Sequence, residues 1–85
     1  MNEASLFIDQ VDEFANQVSE YRWNKLQSMW YREDLSKDMH IKLDRLKKRA
    51  VKLISSVFES NKITENDKAA FNKYKADFLR LKNRK

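Results

Sequence analysis

Between Met39 and Phe58 the apolar residues Met39, Leu43, Leu46, Ala50, Leu53 and Val57 recur in steps of 4, 3, 4, 3 and 4. That spacing lines one stripe of an α-helix and fits no face of a β-strand, whose period is two. At about 100° per residue, Lys42, Arg45, Lys48, Arg49 and Lys52 fall outside the stripe, on the opposite side of the same helix. One segment therefore supplies a seam for a core and a basic face. The chain contains neither glycine nor proline, which argues against sheets joined by tight turns, Gly-rich phosphate loops and Pro-rich linkers. Helices joined by short polar connections are the expectation, in a single domain over residues 1–85.

The spacing predicts a first helix over about 3–31. Ala4, Ile8, Val11, Ala15, Val18, Leu26 and Met29 form the centre of its apolar sector, with Phe7, Phe14 and Tyr21 along one edge and Trp23 and Trp30 along the other. Asn2 or Ser5 can cap its start, where Glu3, Asp9, Asp12 and Glu13 suit the positive end of the helix dipole. The sector is wider than one neighbour needs, so contact with two other helices is expected. Arg22 falls inside it, and the flanks change sides there, which predicts a bend or a change of partner over 21–25.

Residues 32–37 form a short connection in which Asp34 or Ser36 can cap the next helix. Short connections favour antiparallel neighbours, so the first two helices should form a hairpin. The second helix is predicted over 37–59, with Asp38–Lys42 and Asp44–Lys48 as acid-first pairs four residues apart. Ser60-Asn61-Lys62 ends it, because asparagine tolerates the left-handed conformation. Thr64-Glu65-Asn66-Asp67 then has the form of a capping box, opening a third helix over 65–82 with Phe71, Tyr74, Phe78 and Leu81 on one stripe. The expected architecture is all-α, an antiparallel three-helix bundle, with a symmetric dimer as a further expectation. Because the first helix is the longest, one end of it should extend past a neighbour, and that overhang is the place to look for function.

Charge is distributed unevenly. Residues 1–40 carry four Lys/Arg against eight Asp/Glu and residues 41–85 carry fourteen against five, so −4 in one part faces +9 in the other. Such polarity points to an acidic protein surface, nucleic acid or a second copy of the chain as partner. Cysteine is absent, which makes the chain indifferent to redox compartment. Glu3 and Asp9 interrupt a signal-peptide pattern and no apolar run approaches the ~20 residues that span a bilayer, so a cytoplasmic protein without membrane contact is expected.

No catalytic chemistry is spelled out. His40 is the only histidine, which leaves a zinc-type site with at most one nitrogen or sulfur ligand. Catalytic carboxylates need burial or a close charge partner, whereas acid pairs such as Asp9 with Glu13 or Glu33 with Asp34 fall on polar faces. Ser55, Ser56 and Thr64 have no base at a recognisable spacing. The expectation is a protein that is not an enzyme and carries no metal or cofactor.

Two surfaces are then weighed. Residues 21–32 concentrate both tryptophans, two of the three tyrosines, Met29, Arg22 and Arg32, the residue types enriched in interface hot spots. Trp23, Trp30, Tyr31 and Arg32 are the candidate anchors for a protein partner. Against this stands burial of Trp23 and Trp30, a heptad apart, in the bundle's own core. The basic residues Lys42, Arg45, Lys48, Arg49 and Lys52, with Lys73, Lys75 and the C-terminal tail as an extension, would guide an acidic partner or follow a phosphate backbone. The expected function is a binding module acting as an inhibitor, adaptor or regulatory subunit; a nucleic-acid-binding regulator is the alternative.

Overall fold

The computed structural model describes residues 3–28 and 37–83, with side chains over 3–25 and 38–83. Three helices follow in order: α1 over Glu3–Ser28, α2 over Lys37–Ser60 and α3 over Glu65–Lys82. Among the described residues only 61–64 and 83 lie outside them. The described end of α1 is Ser28; the three further residues assigned to it from the sequence lie outside the described part.

The seam of α2 is buried as its spacing requires. Met39, Leu43, Leu46, Ala50, Leu53 and Val57 join Ala4, Phe7, Val11, Phe14, Ala15 and Val18 of α1 and Phe71 and Phe78 of α3 in a continuous core. Direction follows from two sets of contacts. Arg22 of α1 meets Asp44 of α2 at 3.5 Å, while Ala4 lies beside Asn61 and Ile63 at the other end, so α1 and α2 run antiparallel. Phe7 and Phe14 meet Phe71, and Phe14 and Tyr21 meet Phe78, so α3 runs parallel to α1. The molecule measures 45 × 18 × 16 Å, the proportions of helices lying side by side.

The connection between α2 and α3 is built from local chemistry. Asn61 takes φ 54°, the left-handed conformation that ends a helix, and its N–H donates to the carbonyl of Val57 at 2.8 Å. Lys62 N–H donates to Ser60 Oγ at 3.3 Å. The capping box is complete: Asp67 N–H donates to Thr64 Oγ1 at 3.1 Å, and Thr64 N–H donates to Asp67 Oδ2 at 2.9 Å. At the start of α1, by contrast, Ser5 lies inside the helix and so is not its cap. Asn2, Asp34 and Ser36, the other expected caps, lie outside the described residues.

The wide apolar sector of α1 has the two neighbours its width called for. Phe7, Phe14 and Tyr21 stack edge-to-face on α3 at centroid separations of 5.5–5.7 Å. Over 21–25 the helix continues without interruption and the partner changes instead: Tyr21 faces α3, and the half-buried Arg22 turns to α2. Among the described residues, no helix is long and apolar enough to cross a membrane.

Candidate binding surfaces

The first surface begins where the ladder of rings ends. Tyr21 makes the last ring contact between α1 and α3, and two residues later Trp23 is 60% exposed. Two residues turn a helix by about 200°, which carries Trp23 away from the side that α3 covers. Burial in the core therefore does not account for this indole. Trp30, Tyr31 and Arg32, the other proposed anchors, lie outside the described residues.

Two exposed apolar residues of α2 also lie off the sides that the other helices cover, at different levels along the bundle from Trp23. Phe58 is 76% exposed, and Val51 is also exposed. Both sit off the buried seam, on the side of α2 turned away from Leu46 and hence from α3. The sequence marks Phe58 only by its failure to fit the 4-3 spacing. Its side chain is available because folding has no use for that direction.

The second surface is basic. Lys42, Arg45, Lys48, Arg49 and Lys52 are all exposed, and they border two adjacent hollows that share Arg45 and Arg49. Lys42, Arg45 and Arg49 line a groove of about 440 Å³ between α2 and α3, together with Asp77 and Arg80, over a floor that includes Leu46 and Leu81. Lys48 and Lys52 border only a shallow depression around Val51, alongside Asp44, Lys47 and Ser55, and Arg45 and Arg49 reach its rim as well. Arg80 was not among the residues singled out from the sequence. Only the packing of α3 antiparallel to α2 brings its last turn beside the first half of α2. Lys75 does not line this groove, and its ammonium lies 4.5 Å from the centroid of the Phe71 ring.

Ion pairing further separates the cations. Lys42 Nζ lies 3.0 Å from Asp38, and Lys48 Nζ lies 3.0 Å from Asp44, as the four-residue spacings require. Arg80 is 3.9 Å from Asp77, at the edge of pairing distance. No ion pair found among the described residues uses Arg45, Arg49 or Lys52. Asp44 is the most heavily solicited acid, since Arg22 approaches it from α1 and Lys48 from its own helix. The hydrogen bond from Lys48, with the positive charges of Lys48, Arg22 and Lys47, holds its carboxyl below the ordinary value of 3.8, against a smaller opposing effect of partial burial.

Among the described residues no group of three or more His, Cys, Asp and Glu side chains is placed to hold a metal ion. His40 is half-buried at the start of α2. The surfaces available for function are thus exposed apolar side chains on α1 and α2 and a cationic groove between α2 and α3. No protein-family model matches the chain, no curated protein matches it in sequence, and no solved structure matches it in fold.

Proposed function

We propose that the chain is a non-enzymatic helical binding module of the cytoplasm, docking onto a protein partner as an inhibitor, adaptor or regulatory subunit. The observation that carries this reading is Trp23. It is 60% exposed on a bundle that has already closed its core without it. A large apolar ring left in water is costly to the free protein and gains when a partner covers it, which is why tryptophan is enriched in hot spots. Trp30, Tyr31 and Arg32 complete the cluster in sequence, exposed Val51 and Phe58 offer separate apolar contacts on α2, and Lys48 and Lys52 beside Val51 steer an acidic partner. The test compares capture by the native chain with capture by Trp23→Ala and by the Trp30→Ala/Tyr31→Ala double variant. A partner retained by the native chain and lost by these variants, with helix content unchanged by circular dichroism, supports the reading. A partner held equally by all three sinks it.

The alternative is a nucleic-acid-binding regulator, favoured by the exposure of Lys42, Arg45, Lys48, Arg49 and Lys52. Titration with DNA and RNA at several salt concentrations separates the two. Binding that persists at physiological salt supports the alternative, and binding that is blind to sequence and vanishes there counts against it.

A further inference from the structure

The groove between α2 and α3 has a composition that an ordinary solvated helix face lacks. Its walls hold Lys42, Arg45, Arg49 and Arg80 against the single acid Asp77, and its floor includes two leucines, Leu46 and Leu81. Lys42 already has Asp38 at 3.0 Å, and Asp77 engages Arg80 at only 3.9 Å. Arg45 and Arg49, one helical turn apart on the same wall, take part in none of the ion pairs among the described residues. Guanidinium groups present donors in a planar fork that fits carboxylates in pairs. We propose that this groove receives a short amphipathic acidic segment of a protein partner, its carboxylates on Arg45, Arg49 and Arg80 and its apolar side chains on the half-buried Leu81, since Leu46 beneath is already sealed into the core. The inference deepens the binding-module reading by naming the chemistry of what is bound.

Two other occupants fit less well. A single nucleic-acid strand gains most where its bases stack on flat rings, and none of the residues lining the groove is aromatic. Asp77 also places a negative charge where a phosphate backbone would pass. A second copy could offer the exposed acids Asp9, Glu13 and Glu20 of its α1. Those residues lie on the side of α1 turned away from α2 and α3, so donor face and groove point in opposite directions on one molecule. Such a contact is head-to-tail, building rings or open chains rather than a two-fold dimer.

The experiment uses the full chain and four fluorescein-labelled probes matched in charge. These are a Leu/Glu peptide with its leucines on one helical face, a scrambled peptide of the same composition, polyglutamate and single-stranded DNA. At physiological salt the amphipathic peptide should bind most tightly. Arg45→Ala and Arg49→Ala should each weaken it about tenfold, as loss of a charge-assisted hydrogen bond does. Leu81→Asn should weaken the amphipathic peptide and leave polyglutamate unchanged. Both arginines are exposed, so these variants should keep native helix content. Equal binding of the scrambled peptide or polyglutamate, tighter binding of DNA, or indifference to both arginine variants would each overturn the proposal. So would self-association at physiological salt that Arg49→Ala removes. Trp23→Ala serves as the control for the other surface: if it abolishes partner capture while the arginine variants do not, the module reading stands and the groove assignment alone fails.

Discussion

Asp44 shows how one side chain can tie two helices to the acid side of the pH scale. Its carboxylate meets Lys48 at 3.0 Å within α2 and Arg22 at 3.5 Å from α1. Its pKa in the folded chain is lowered, so the pairs contribute stability that is complete above the unfolded value and is lost as pH falls through the lower folded value. A titration followed by carboxyl NMR should therefore place the Asp44 midpoint below 3.8. Lys48→Met should raise that midpoint more than Arg22→Met, because the hydrogen bond from Lys48 is the largest cause of the shift. A midpoint at or above the ordinary value in the native chain would mean that the pairs do not persist in solution. The sequence makes the Lys48 half of this arrangement legible through its four-residue spacing. The Arg22 half shows there only as a charge misplaced in an apolar sector, since a contact between helices has no fixed spacing along the chain.

Among the elements, α1 divides most clearly between what folding uses and what it leaves exposed. Phe7, Phe14 and Tyr21 interlock with Phe71 and Phe78, and Phe14 touches both of the α3 rings. Removing a buried phenylalanine costs about 3–5 kcal/mol. A chain of this length has roughly 4–13 kcal/mol to lose. Phe14→Ala should accordingly lower the melting temperature steeply or abolish the cooperative transition, whereas Trp23→Ala should change stability by less than about 0.5 kcal/mol. Equal losses in thermal melts would show that the indole is packed after all. Much of this architecture was legible beforehand: the seam of α2, the Asn61 stop and the Thr64 box each rest on interactions within a few residues, where sequence and geometry are nearly the same thing. The heptad spacing of Trp23 and Trp30 was compatible with either core or surface. Periodicity gives the face of a helix, while the number of neighbours on that face depends on which sides α2 and α3 come to cover. Arg80 was missed for a related reason. Leu46 lies 15 residues before Asn61 and Leu81 lies 17 after Thr64, so only folding about that turn sets them opposite each other and brings Arg80 to the groove.

For the molecule as a whole, the decisive quantity is the direction of its charge. Acids are exposed along α1 and cations along α2, with −4 over residues 1–40 and +9 over 41–85. Two kinds of self-association are compatible with that arrangement, and they differ in symmetry. Contact between the acidic stripe of α1 and the basic groove of another copy is heterologous, so it builds rings or open chains of more than two copies and is driven by charges exposed to salt. Contact through Trp23, Val51 and Phe58 is apolar, can be shared by both copies about a two-fold axis, and stops at two. Light scattering across concentration distinguishes them. The polarity favours the first kind at low ionic strength: the mass should climb with concentration without levelling at a dimer, and should fall to that of a single chain at about 0.15 M salt, where the Debye length is about 8 Å. A mass that levels at two chains and is indifferent to salt would assign the apolar face to a symmetric dimer. Phe58→Glu should then return it to one chain, and the partner proposed for Trp23 would be a second copy of the protein.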